Sequence, residues 1–259
     1  MIPKDDLYER TRRSWEDIWA QESSIRDEID VLNEPRTRDQ FGVFPSYLPK
    51  DGYILEAGSG LGATLLLLRD MGFKMIGCDY AEQALRQFHA YDSGIPLSVA
   101  DVHALPYANN SLHGYLSFGV FEHFAHGMSA ALREAHRVLV PGGVIVMTIP
   151  YPNIINRLVR LRRRLAGRSV LNKDDFYEST YTRAALVQEL VTAGFDVLVA
   201  KPTSHSFTFW GLGGVFRASG YYRTSKLAES LGAVSRAVLP WALNYMTMMI
   251  ARKRETGTT

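Results

Sequence analysis

Residues 54–65 read ILEAGSGLGATL. A short apolar run ends in three alternating glycines, Gly58, Gly60 and Gly62, and a second apolar run follows. This is the pattern of a buried strand that turns sharply into a helix. Glycine is needed where the backbone takes a positive φ or where a ligand comes close to it. The first turn of the following helix offers unpaired N–H groups to an anionic or polar ligand. Gly58, Gly60 and Ala63 also satisfy G-x-G-x-x-[G/A], so the loop alone is compatible with a dinucleotide. A glycine-rich structural turn is the plain alternative.

Outward from the loop, strands and helices alternate. Residues 53–57 form a strand introduced by the Asp51-Gly52 turn, and ATLLLLRDM (63–71) is a helix closed by Gly72. KMIGCD (74–79) is a short buried strand, and AEQALRQFHAY (81–91) is an amphipathic helix. IPLSVAD (95–101) and LHGYLSF (112–118) are the third and fourth strands. MSAALREAHRVL (128–139) is a helix stopped by Pro141-Gly142-Gly143, and VIVMTIP (144–150) is the fifth strand. An arginine-rich helix (154–168), an acidic-aromatic loop NKDDFYESTY, a helix (183–193) and the strand FDVLVAK (195–201) follow. The last strand is NYMTMMIARK (244–253).

This alternation predicts a doubly wound α/β fold with a mostly parallel seven-stranded sheet and helices on both faces. A final strand arriving after a long excursion is expected to close the sheet antiparallel. The expected layout is one domain over 1–259, which suits the length. Within it lie an N-terminal helical cap (1–45), a cofactor-binding core (46–202), a helical, aromatic insertion serving as acceptor lid (203–240) and the last strand (241–254).

Composition narrows the class. The chain is 46% hydrophobic and 22% charged, as globular proteins are. Its one cysteine, Cys78, excludes an intrachain disulfide and a cysteine-based zinc cluster. The charged start MIPKDDLYERTRRSW is not a secretory signal. Together these predict a cytoplasmic protein. The apolar stretch AVLPWALNYMTMMIA (237–251), interrupted by Pro240 and Asn244, is too short to span a bilayer and is expected to be a core strand. Residues 1–150 carry 13 Lys+Arg against 20 Asp+Glu, whereas residues 151–259 carry 16 against 7. A basic back half suits an anionic membrane or an acidic substrate, or is simply a solvated surface.

Three carboxylates separate the cofactor classes. Glu56, two positions before Gly58, would repel a pyrophosphate but suits a cofactor with ammonium and sulfonium groups. Asp79 ends the second strand, 17 residues after Gly62, where a carboxylate accepts ribose hydroxyls in either class. Asp101 ends the third strand and suits an adenine edge, a group for which a dinucleotide site has no evident use there.

With these residues in place the chain resembles the class I S-adenosylmethionine-dependent methyltransferases, more narrowly the ubiquinone and menaquinone biosynthetic branch. The resemblance covers roughly residues 50–200. It rests on EAGSGLG (56–62), GCDYAEQAL (77–85), ADVHALPYANNSL (100–112), SFGVFEHF (117–124) and LREAHRVLVPGGVIVMTIP (132–150). It implies S-adenosylmethionine as cofactor. Gly58, Gly60 and Gly62 would shape the loop under the methionine part, with Glu56 orienting it. Asp79 would take the ribose, Tyr80 would lie on the adenine, and Asp101 with the backbone at Val102 would read the adenine edge. The backbone at Ser117, Phe118 and Gly119 would meet the cofactor's amino group. His113 stands where family members often carry Asp. Gly119 replaces the first Glu of a Glu-x-x-Glu-His metal motif, so no metal is expected. The Asn/Asp-Pro-Pro-aromatic signature of N-methylation is missing after the fourth strand, so no nucleic acid is expected.

Methyl transfer asks the protein to position an acceptor and exclude water, and an oxygen acceptor gains from a general base. His123 is the candidate, with Glu122 supporting the cofactor side; Tyr177, Tyr181 and His205 are weaker candidates in lid segments. Trp15 and Trp19, one helical turn apart, either cover the cofactor or pack on the sheet. Phe207, Phe209, Trp210, Phe216, Tyr221 and Tyr222 would line an apolar pocket or serve as core. In IINRLVRLRRRLAGR, Ile154, Leu158, Leu161 and Leu165 recur at helical spacing among six arginines. Such a helix lies on an anionic membrane surface, holds an acidic acceptor, or packs its apolar stripe on the core. The resulting expectation is a methyltransferase acting at oxygen on a small-molecule or lipid-linked acceptor. A dinucleotide oxidoreductase, a cofactor-binding scaffold and a non-methylating enzyme such as a cyclase are the alternatives.

Overall fold

The computed structural model describes residues 6–21, 24–165 and 178–255. Three helices lead: α1 (Asp6–Gln21), α2 (Ile25–Leu32) and α3 (Pro35–Phe41). Ser24 starts α2 with a capping box, its hydroxyl accepting from the Asp27 N–H while Asp27 accepts from the Ser24 N–H. Next come β1 (Tyr53–Ala57), α4 (Ala63–Asp70), β2 (Lys74–Asp79), α5 (Glu82–Tyr91), β3 (Leu97–Val99) and β4 (Leu112–Phe118). These are followed by α6 (Ser129–Val138), β5 (Leu139–Pro150), α7 (Ile154–Leu165), α8 (Arg183–Thr192) and β6 (Phe195–Thr203). Finally α9 (His205–Trp210) and α10 (Lys226–Val238) precede β7 (Met246–Lys253).

The seven strands form one sheet in the order β3-β2-β1-β4-β5-β7-β6. Strands β1 to β5 run parallel, and β7 is antiparallel to both β5 and β6. Side chains sort to the two faces with the period of two that a strand imposes. Leu55, Tyr115, Ile145, Met147, Met249 and Ala251 share one core with Leu132 of α6 and Leu186 of α8. Their neighbours Ile54, Leu116, Val144, Val146, Met248 and Ile250 share the other with Leu65 of α4 and Phe88 of α5. A parallel sheet needs this cover on both faces. The chain reverses its direction of strand addition between β1 and β4. Ligands of such sheets bind at that switch point, beyond the carboxyl ends of the strands.

Four expectations shift. The third strand is three residues long rather than 95–101, because Pro96 has no N–H to donate and Asp101 folds into a turn that accepts from the His103 N–H at 2.9 Å. Pro141-Gly142-Gly143 does not stop the ladder: β5 starts at Leu139, and the register jumps from Leu112–Leu139 to Gly114–Val144 around the bulge. Residues 237–251 are not one strand: α10 runs to Val238, Pro240 follows, and the strand begins at Met246. The apolar stripe of α7 does not lie on the core, since Leu158 is 59% exposed, Leu161 53% and Leu165 81%. Residues 166–168 of that helix, and 172–177 of the following loop with Tyr177, lie outside the described residues.

Candidate functional site

Gly58 and Gly60 sit in the left-handed region, at φ +79° and +49°. A Cβ on Gly58 would come within 2.4 Å of Val120, and one on Gly60 within 2.7 Å of Trp19. The loop is therefore closely overlaid from both sides. Gly62, also left-handed, caps the start of α4 against Phe88 and stands behind the loop rather than in the cavity wall. Asp79 fixes the loop to the end of β2: its carboxylate accepts from the Gly60 N–H and from the Ala81 N–H, both at 2.8 Å. Burial pushes the Asp79 carboxyl above its ordinary range even though these two bonds pull it down.

The loop opens into a cavity of about 450 Å³, a size that suits a small-molecule site. Of the residues singled out by sequence, Glu56, Gly58, Gly60, Asp79, Tyr80, Asp101, Val102, Phe118, Gly119 and His123 line it. Ser117 is buried behind the wall. Trp15 and Trp19, from α1, also line it. They stack on one another at 5.6 Å, and Trp15 presents an edge to His123 at 5.1 Å. Both tryptophans line the cavity, and Trp19 also packs against the core on one face of the sheet, so each expectation holds in part.

Two weaker candidates fall elsewhere. His205 is buried, with Nε2 2.9 Å from the Pro240 carbonyl, and it lines a separate cavity. Tyr181 packs against the core beneath α8, its N–H bonded to the Pro150 carbonyl. Neither reaches the main cavity wall.

The buried carboxyls differ in state. Glu56 is buried, and one of its oxygens has no hydrogen-bond partner. Burial drives its pKa well up, against a hydrogen bond from Thr64. Glu122 behaves alike: it is buried, one oxygen is unpartnered, and burial holds it far above the usual carboxylate range. Asp101 goes the opposite way. Burial alone would raise it, but bonds from His103 and Tyr8 more than offset that and hold it well below its ordinary value.

The far end of the cavity was legible only in part: of the aromatic residues singled out by sequence, Phe207, Tyr221 and Tyr222 line it, whereas Phe209, Trp210 and Phe216 do not, and its other residues were missed. Glu28, Arg36 and Gln40 arrive from α2 and α3, Phe207 from α9, and Tyr245 and Met246 from the entry to β7. Burial lifts Glu28 to about 6, against a bond from Tyr221. These residues belong to no motif. Charged positions on N-terminal helices look like a solvated face until the helices are placed.

An unpartnered, buried carboxylate oxygen and two left-handed glycines with no room for a Cβ suit a cofactor with an ammonium group. They suit a pyrophosphate poorly. Comparison with known proteins agrees: residues 55–147 match the family model described as a methyltransferase domain. Over these residues the chain is similar to the class I S-adenosylmethionine-dependent methyltransferases. A probable S-adenosylmethionine-dependent methyltransferase of Mycolicibacterium smegmatis is 31% identical over 145 residues, 56% of this chain and 52% of that protein. The malonyl-[acyl-carrier protein] O-methyltransferase of Pseudescherichia vulneris is 25% identical over 193 residues, 73% of this chain and 74% of that one. The chain thus spans about half the length of two curated relatives it matches, at 52% and 44%. Among solved structures, the methyltransferase bound to the Haloferax volcanii Trm112 activator superposes with TM-score 0.64 at 17% identity, covering 93% of this chain and 98% of that one. Geranyl diphosphate C-methyltransferase from Streptomyces coelicolor gives 0.63 at 10% identity, over 97% and 100%. At these identities both show the shared methyltransferase fold. The sheet order β3-β2-β1-β4-β5-β7-β6 and the antiparallel β7 are this chain's version of that fold.

Proposed function

We propose that the protein transfers a methyl group from S-adenosylmethionine to an oxygen of a small-molecule or lipid-linked acceptor. The observation that carries this is a single cavity whose wall holds the glycine loop, Glu122, His123 and a set of aromatic side chains. Bound S-adenosylmethionine supplies an electrophilic methyl group. Glu56 would take its ammonium end, Asp79 the ribose hydroxyls, and Tyr80, Asp101 and Val102 the adenine. The Asp79 carboxylate retains lone-pair capacity for this after its backbone bonds from Gly60 and Ala81. His123 would accept the acceptor's proton, since an imidazole is suited to that near neutrality. Burial raises the Glu122 pKa and favours its protonated, hydrogen-bond-donating form. Trp15 and Trp19 would exclude water from above.

The acceptor's lipid character is supported by α7. Its exposed Ile154, Leu158, Leu161 and Leu165 lie with exposed Arg157 and Arg162, the make-up of a helix resting on an anionic membrane surface. Among the described residues no helix is long and apolar enough to cross a membrane. Domain layout follows the same reading: one unit over 1–259 with 203–240 closing the acceptor end.

The test is transfer of labelled methyl from S-adenosylmethionine into a host extract, with the labelled product identified. A product methylated at oxygen in the organic phase supports the reading. Binding of S-adenosylhomocysteine with no labelled product under any condition would instead favour a reaction other than methyl transfer on this scaffold.

A further inference from the structure

Arg36 stands out at the far end of the cavity. It projects from the first turn of α3 and lines both the main cavity and a smaller neighbouring one. It is half-buried, and burial pulls the guanidinium's pKa down, which means the charge is held away from bulk water. Among the described residues it makes no hydrogen bond and no ion pair; its guanidinium carbon lies over the ring of Phe207, 4.3 Å from the centroid. The acids that act on it, Glu34 and Glu229, are engaged elsewhere. Glu34 pairs with Arg223 at 3.4 Å, and the Thr224 hydroxyl lies within hydrogen-bond reach of both Glu34 and Glu229.

A guanidinium removed from water and lacking an anion is costly. Arginine's planar fork is built to take two acceptor oxygens at once. Stacking on Phe207 leaves that fork free along its edge. Neutral partners stand nearby in the same wall: Gln40, which donates to Thr203 and Ser204, together with Ser204, Tyr222 and Tyr245. Tyr245 links this end to the chemistry. It is close enough to feel the charges of Arg36 on one side and of Glu122 and Glu178 on the other. None of the acids that line the cavity (Glu28, Glu56, Asp79, Asp101, Glu122 and Glu178) is among the main groups that act on Arg36.

We propose that Arg36 binds an anionic group of the acceptor, a carboxylate or a phosphate monoester, set apart from the atom that is methylated. This rests on the reading of the cavity as an acceptor site. It predicts acceptors that are amphiphilic anions: an acidic head on Arg36, and an apolar body against Phe207, Tyr222 and Tyr245. The role is recognition, so Arg36 acts on affinity rather than on the chemical step.

The experiment is calorimetric titration of the protein with octanoate, octyl phosphate and octanol, with and without bound S-adenosylhomocysteine. Wild type is expected to take one of the anions roughly tenfold or more tighter than octanol, the scale of a hydrogen bond to a charged group. Octanoate alone would identify a carboxylate site, and octyl phosphate alone a phosphate site. Arg36→Gln should erase the preference while S-adenosylhomocysteine affinity stays within about twofold, and Arg36→Lys should keep part of it. Equal binding of octanol, absence of anion binding by wild type, or an anion preference that survives in Arg36→Gln overturns the proposal. The cofactor titration reads the methyltransferase assignment separately, because the anion titrations are also made without it.

Discussion

The Tyr8 hydroxyl donates to Oδ2 of Asp101 at 2.6 Å, joining positions 93 residues apart. The other Asp101 oxygen takes the N–H and the ring Nδ1 of His103, at 2.9 and 2.8 Å. The bond pins the start of α1 to the place where the adenine edge would lie. At the other end of the helix, Gln87 donates to the Trp19 carbonyl at 3.0 Å. Between these anchors Thr11, Arg12 and Trp15 face the cavity, so α1 has the make-up of a lid held at both ends.

Tyr8→Phe removes one anchor and leaves the His103 bonds to Asp101 in place. A bond to a charged group in a half-buried position is worth about 1 kcal/mol net, so lid opening should gain roughly fivefold. Stopped-flow displacement of S-adenosylhomocysteine, read by Trp15 and Trp19 fluorescence, should show dissociation faster by that factor. An unchanged rate would remove Tyr8 from the lid.

Gly60 and Trp19 give a second prediction, because each occupies space the other needs. Gly60→Val puts a β-branched side chain at φ +49° and drives its Cβ to 2.7 Å from the indole. The left-handed backbone alone costs about 1–2 kcal/mol in a non-glycine residue. Cofactor binding should be abolished while the far-ultraviolet dichroism stays that of a folded chain. Gly60→Ala should be milder, and its stability cost should shrink in a Trp19→Ala background. A double-mutant cycle with no coupling would show that the indole does not rest on the loop.

Glu122 makes a prediction about pH. Burial raises its pKa in the folded chain, so the folded state keeps a proton that the unfolded chain releases near pH 4–5. Where the folded state binds more protons, stability falls as pH rises. The fall begins above the unfolded pKa and continues towards the raised folded one. Glu56 adds a fall of the same sign. Urea unfolding at pH 5, 6.5 and 8 should therefore show wild type losing stability, and Glu122→Gln losing less. Equal slopes for the two proteins would mean that Glu122 is ionised in the fold.

Much of the fold was legible because its signals are local. The strands 53–57, 74–79 and 112–118 stand where the apolar runs put them, and the positive φ angles of Gly58 and Gly60 are what that loop's glycines foretold. The cofactor half of the cavity was legible for the same reason: Glu56, Asp79 and Asp101 stand at strand ends, where the alternation of elements brings them together. The acceptor half was legible only in its aromatic residues Phe207, Tyr221 and Tyr222. Arg36 and Glu28 reach it only because α2 packs on α4 while α3 packs on α2, β6 and α9, and no local pattern encodes that. The bulge at Pro141–Gly143 was missed because a Pro-Gly-Gly run reads equally as a stop and as an irregular strand. The stripe on α7 misled differently: helical periodicity says that a face is apolar, not what covers it.

That stripe supplies the last prediction. Leu158 and Leu161 are each more than half exposed on a helix whose described arginines, Arg157 and Arg162, are exposed as well. If the face meets an anionic bilayer, aliphatic insertion and charge attraction should add. Each arginine near an anionic surface contributes about 1 kcal/mol, and each inserted leucine about 1.5–3 kcal/mol at full burial. Leu158→Asp/Leu161→Asp should therefore abolish co-sedimentation with phosphatidylserine-containing vesicles at physiological salt. Arg157→Glu/Arg162→Glu should weaken it roughly tenfold or more, and raised salt should mimic the arginine change but not the leucine change. Because all four side chains stand in solvent, none of these variants should alter the unfolding midpoint by more than a few degrees. Sedimentation of wild type that matches either double variant would detach α7 from any membrane role and leave the acceptor a water-soluble molecule.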